Sequence, residues 1–191
     1  MKITLTYRGV VPSAHSGGGK NKSAHISNMR LAFHEQLKRL WGQPPFEVLK
    51  EWEQSDFKAG APEFIRAVGE TNYIPYFDVQ KVGIAVGLNI TLLSGEPHNA
   101  PQLISKGDLD NRVKSIIDAL HPPQKDNLSE NEKELNRIHC LMGDDEAVKE
   151  LTASTRPFLA SESHEDAFVL VEVRPIPMRV SADNIEMALW R

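Results

Sequence analysis

The chain has 191 residues, with 22 Lys and Arg against 26 Asp and Glu, and 40% of its residues are apolar. That length and balance suit a single domain with insertions, and the one cysteine, Cys140, excludes a disulfide framework and any multi-cysteine zinc site. No apolar run nears the roughly 20 residues of a membrane helix, and Met1 to Val10 lacks the continuous apolar stretch of a signal peptide, so the expectation is a soluble cytoplasmic protein.

Charge is spread unevenly. Residues 1–50 hold eight Lys and Arg against two acids, although the net charge of the chain is -4. Either a basic surface lies beside an acidic site, or the charges are solvated and have no partner.

In chain order, Ile3, Leu5 and Tyr7 alternate with polar residues and predict a half-buried strand. Ser13 to Ser23, with Gly17, Gly18 and Gly19 beside Lys20 and Lys22, predicts a basic loop that lacks the full phosphate-loop pattern. Ser27 or Asn28 is expected to cap a helix running to about Trp41. Residues 46–80 predict short helices and loops, within an insertion placed at about 42–80. Val82 to Leu93 predicts one strand, or two joined near Gly87. The segment 121–143 predicts a second insertion, a polar loop with a short helix near Glu130 to Leu141. Ala147 to Ala153 and Ala167 to Val173 predict strands, and Ser154 to Arg156 a surface loop. Trp41 and Trp52 are expected in a core or an interface. The order of elements points to an α/β (α+β) domain of two layers, a mixed sheet packed against helices.

The segment Gly107 to Leu120 carries the chemistry. Val113, Ile116, Ile117 and Leu120 recur at helical spacing, while Asp110, Lys114 and Asp118 stand four apart on an adjoining face. Asp110 suits an N-cap, and on extended backbone Asp108 and Asp110 would point the same way. Asp144 and Asp145 form a second acidic cluster just before a predicted strand. Bringing Asp145 to Asp108 and Asp110 would create an oxygen-only site for a hard cation, with Lys114 available to stabilise phosphate charge. Taken singly, these residues also fit a helix cap, an i,i+4 ion pair and a turn. Two acidic clusters flanking one amphipathic helix weaken that plainer explanation. The seven histidines show no HExxH pair or Cys/His cluster, and no arrangement activates Cys140 as a nucleophile.

The pattern Asp108, Asp110, Asn111, Lys114, Asp118, Leu120, followed by Asp144, Asp145 and Val148, resembles the signature of RusA-like Holliday junction resolvases. The resemblance spans residues 108–148. It implies a RusA-like fold and a homodimer that nicks four-way DNA junctions with Mg²⁺, or with Mn²⁺ in its place. It implies Asp108, Asp110 and Asp145 as metal-binding catalytic carboxylates and Lys114 as the catalytic basic residue. Asn111, Asp118 and Asp144 take supporting roles. Lys20, Lys22, Lys106 and Arg112 are the cations expected to meet DNA. The sequence departs from the family pattern in the 23 residues His121 to Gly143 between Leu120 and Asp144, in the extra segment at 42–80, in having only Lys106 as a basic residue before the first motif Asp, and in its overall acidity. A non-catalytic DNA-binding relative and a hydrolase of small phosphate compounds remain as alternatives.

Overall fold

The computed structural model describes residues 3–13, 19–53, 64–95, 106–160, 167–182 and 184–189; for 19–20, 51–52 and 106–108 it describes the backbone alone. Strand β1 (Ile3–Gly9) leads to helix α1 (Gly19–Leu40) and the short helix α2 (Leu49–Trp52). Strands β2 (Arg66–Val68), β3 (Thr71–Phe77) and β4 (Ile84–Ser94) follow, then helix α3 (Lys106–Ala119). A one-turn helix α4 (Glu130–Lys133), strands β5 (Arg137–Met142), β6 (Val148–Pro157) and β7 (Ala167–Pro177), and a last turn α5 (Ile185–Ala188) complete the order.

The mixed α+β expectation holds, with two mixed sheets in place of one. The larger sheet has the order β1-β7-β4-β6, antiparallel except for the parallel pair β4·β6. Its inner face is set by alternation: Ile3, Leu5 and Tyr7 on β1 lie beside Val173, Val171 and Val169 on β7, and all six are buried. β4 is a single strand, and its register with β6 shifts between Val86 and Gly87.

The smaller sheet, β2-β3-β5, corrects the reading of the segments at 46–80 and 121–143 as helices and loops. β3 comes from the first and β5 from the second, and they pair in parallel, with Tyr73 beside Ile138 and Phe77 beside Met142. Residues 130–141 therefore form one helical turn followed by a strand, not a helix throughout. Ile138, Cys140, Leu141 and Met142 are buried, so tertiary burial overrides the polar flanks. Ser154 to Arg156 likewise belongs to β6 and not to a loop.

Helix α1 packs between the sheets. Met29, Phe33 and Leu37 enter the main core with Leu5 and Tyr7, and the Tyr7 and Phe33 rings meet edge-on at 6.4 Å. Its other side meets β5, where the His34 and His139 rings stack at 5.6 Å and His34 Nδ1 accepts the His139 backbone N–H at 2.8 Å. Trp41 is buried against Phe64 and Tyr76. The helix begins at Gly19, so residues 19–23 are helical where a loop was expected. Ser27 is accordingly interior and caps nothing; it is buried and donates to Glu132 at 2.8 Å. Gln36 covers the outer edge of β1, accepting from Thr6 N at 2.9 Å and donating to Thr6 O at 2.7 Å. That edge cannot then recruit another strand at Thr6. Among the described residues no helix is long and apolar enough to cross a membrane.

Candidate functional site

Helix α3 is positioned at its C-terminal end. The Leu120 carbonyl accepts from Leu141 N at 2.9 Å and from Met142 N at 3.2 Å. The chain thus leaves α3 at His121 and returns to the same point at the end of β5. Gly143 N then bonds Phe77 O at 3.0 Å, and an added Cβ at Gly143 would lie 2.6 Å from an Asp78 carboxylate oxygen, so any larger residue here requires the Asp78 side chain to move. The 23 residues between the two acidic clusters add sequence distance without spatial distance.

A buried ion pair locks the same end. Arg30 donates through Nε to His121 O at 2.9 Å, through Nη2 to Asp118 O at 2.7 Å, and through Nη1 to Glu132 at 2.7 Å. Glu132 also accepts from Ser27, Ser129 and Tyr73, and with Ser129 it closes a capping box on α4. The Arg30 guanidinium and these hydrogen bonds hold the Glu132 carboxyl below its usual range despite burial, which acts the other way.

α3 and β6 form the two walls of an open groove of about 490 Å³. The helix contributes Asp110, Val113, Lys114, Ile117 and Asp118; the other wall contributes Asp145, Val148, Lys149, Glu150 and Leu151. Asp110, Lys114 and Asp118 line it together because residues four apart share a helical face. Asp110 is not an N-cap, since the helix starts at Lys106, and residues 108–110 are helical and not extended. The side chains of Lys20, Lys106 and Asp108 lie outside the described atoms. Lys22 and Arg112 are half-buried and Asn111 stands on α3 with its carbonyl accepting from Ser115 Oγ at 3.0 Å; none of the three lines the groove.

The two adjacent carboxylates behave differently. Asp144 caps the turn at 145–147 by accepting from Glu146 N at 3.3 Å, and Arg66 Nη1 lies 3.4 Å from its other oxygen. The hydrogen bond shared with Asp145, aided by these partners, holds its carboxyl below the usual range. Asp145 faces the groove and is pushed up, first by that shared hydrogen bond, then by partial burial and by the charges of Asp144 and Asp118. Of the pair, Asp145 is therefore the carboxyl whose ionised form is the less favoured.

The chain matches no protein-family model, and its sequence is significantly similar to no curated protein. The site must be read from its own chemistry.

Its donor set is carboxylate oxygen, which suits a hard cation such as Mg²⁺. Among the described residues no group of three or more His, Cys, Asp or Glu is placed to hold a metal ion, the Asp108 side chain lying outside them. An open site with few protein ligands is the arrangement Mg²⁺ ordinarily takes, with water and substrate phosphate supplying the rest. The raised Asp145 carboxyl fits the same need, because a nearby cation removes the repulsion that protonation otherwise relieves.

Three features escaped sequence reasoning. His121 lies at the groove end, with Nε2 3.8 Å from Asp118. Its Nδ1 is 2.8 Å from the Pro122 carbonyl, which can only accept, so Nδ1 carries the hydrogen and Nε2 is left toward the acids. The Arg30–Glu132 lock was signalled only by the capping-box spacing of Ser129 and Glu132. The wall residues Lys149 and Leu151 carry no sequence signal beyond membership of a strand.

Proposed function

We propose that this protein is a Mg²⁺-dependent, structure-selective endonuclease of branched DNA, working as the resembled RusA-like resolvases do. The observation that supports this reading is the groove in which Asp110, Lys114 and Asp118 from one helix face Asp145 from the opposite wall. Asp108, Asp110 and Asp145 are the residues that would hold the metal. Mg²⁺, when bound, supplies the Lewis acid that polarises a phosphodiester and acidifies a water. Lys114, exposed on the same helical face, places a positive charge where negative charge develops on the phosphate. Asp118 and His121 sit beside Asp145 and tune its charge in opposite directions, Asp118 raising its affinity for a proton and His121 lowering it. The Arg30 lock keeps α3 fixed, so the carboxylates need not be ordered when substrate arrives. Two copies related by a two-fold axis would offer two such grooves to a four-way junction.

The test is incubation with a synthetic four-way junction and a matched linear duplex, in Mg²⁺ and in EDTA, beside Asp110→Asn and Asp145→Asn. Paired Mg²⁺-dependent nicks in the junction alone, lost in both variants, are expected. A folded protein that cuts neither DNA overturns the proposal. Binding assays on the same DNAs then separate a non-catalytic binder from a hydrolase of small phosphates.

A further inference from the structure

The groove has a second chemical character. Between its charged groups lies an apolar floor, formed by Val113 and Ile117 of α3 and by Val148 and Leu151 of the β6 wall. Leu151 is 48% exposed although it stands next to the buried Leu88 in the sheet. A large aliphatic side chain open to solvent beside candidate catalytic carboxylates is a surface suited to an apolar partner.

Charge narrows that partner. Among the described residues, four carboxylates (Asp110, Asp118, Asp145 and Glu150) line the groove against two lysines, Lys114 and Lys149, one on each wall. The whole chain is also acidic, at -4. Phosphate attraction, which normally dominates nucleic-acid affinity, is therefore weak here. Among the described groove residues, the two lysines with a bound metal have charge enough for one local phosphate group, but not for a long stretch of backbone. Affinity then has to come from contacts that are not ionic. A paired base offers none to such a floor, since its faces are stacked and only its edges are open. An unpaired base offers an apolar face and brings its phosphate with it.

We infer that the floor of this groove is a subsite for one unpaired nucleotide, its base lying on Leu151 and Ile117 and its phosphate beside Lys114 and the carboxylates. The inference rests on the nuclease reading and names what that nuclease selects: a branch point or bulge where a base is already unstacked. Such substrates avoid the cost of unpairing, a few kcal/mol in a duplex, so the subsite discriminates against intact duplex without reading sequence.

The experiment uses the full chain and two DNAs carrying the same 2-aminopurine, unpaired at a bulge in one and paired in the other. Fluorescence titrations in Ca²⁺ and in EDTA follow binding without requiring cleavage. The unpaired probe is expected to bind at least about tenfold more tightly, with a shallow salt dependence. Leu151→Ala should remove about tenfold of that preference, and Leu151→Met should retain it because it preserves apolar volume. Equal binding of both probes, a steep salt slope, or an unchanged preference in Leu151→Ala overturns the subsite. So does a change in subunit association caused by Leu151→Ala, which would assign the floor to a second copy of the chain. Cleavage in Mg²⁺ is scored separately: an Asp145-dependent nuclease indifferent to Leu151 leaves the function standing without the subsite. Leu151-dependent binding with no cleavage leaves the subsite standing without the nuclease.

Discussion

Two charged clusters meet at the C-terminal end of α3, and they are built on opposite terms. In the buried one, Arg30 and Glu132 are 3% and 0% exposed, and each of the three Arg30 nitrogens donates to a named acceptor. In the open one, Asp144 and Asp145 share a hydrogen bond that raises one carboxyl and lowers the other, with Asp118 adding like charge. Burial is tolerable in the first because every polar atom is satisfied. The second is left with mutual repulsion that solvent access makes affordable and that a cation would remove. Satisfied charge builds the scaffold, and the carboxylates facing the groove are where the proposed cation would bind.

The sharpest way to break this contrast is to remove one partner of the buried pair. Glu132→Ala leaves Arg30 buried without its counter-ion and also strips acceptors from Ser27, Ser129 and Tyr73. A loss of about 3–5 kcal/mol is expected, read as a fall in the urea midpoint. A change below 1 kcal/mol would mean that the cluster is not a lock. Next in size is the open cluster. Asp145→Asn should lower Mg²⁺-dependent DNA cleavage about a hundredfold, roughly 2.7 kcal/mol of barrier. Asp144→Asn should cost less, since Asp144 is turned to Glu146 N and Arg66 and does not line the groove. Equal losses in the two variants would erase the distinction between them.

The clusters were unequally legible from sequence. The amphipathic stripe of α3 was readable because Val113, Ile116 and Leu120 are all buried at helical spacing, and the same holds for the alternating valines of β7. The helical register alone put Asp110, Lys114 and Asp118 on one face. The start of α1 was not readable, because Lys20 to Ser23 is polar and follows three glycines; apolar periodicity begins only at Ile26. β3 contains Pro75, which argues against an interior strand, yet it pairs on both sides. Its pairing with β5 joins residues more than 60 positions apart, and no local pattern announces such a contact. Because that pairing was hidden, so were the Arg30–Glu132 lock and the return of the chain to Leu120.

A third buried polar site sharpens the comparison through pH. His139 is 4% exposed, and its Nδ1 has no hydrogen-bond partner among the described residues. Burial, reinforced by His34 and the charges of Arg137 and Lys38, pushes the ring down to about 3. The unfolded ring titrates near 6.5. Between those values the unfolded chain binds the extra proton, so stability is complete above about pH 6.5 and declines as pH falls, by about 1.4 kcal/mol per unit from this residue. His139→Gln should flatten that decline in urea midpoints measured from pH 7 to pH 4. An unchanged slope would assign acid sensitivity to the carboxylates instead.

The smallest expected effect is the most telling about the groove. Asp145→Asn removes a carboxyl whose ionised form is opposed by Asp144 and Asp118, so the metal-free variant should be as stable as the parent, within about 0.5 kcal/mol, or slightly more stable. In EDTA, the two proteins should therefore melt together. Adding Mg²⁺ should raise the melting temperature of the parent, because a ligand that binds only the folded state stabilises it in proportion to the logarithm of its concentration over its Kd. The variant should gain less. If Mg²⁺ stabilises both equally, the cation binds elsewhere. If the variant is destabilised even in EDTA, Asp145 belongs with Arg30 and Glu132 as part of the scaffold, and the division between satisfied and unsatisfied charge fails at the residue chosen to define it.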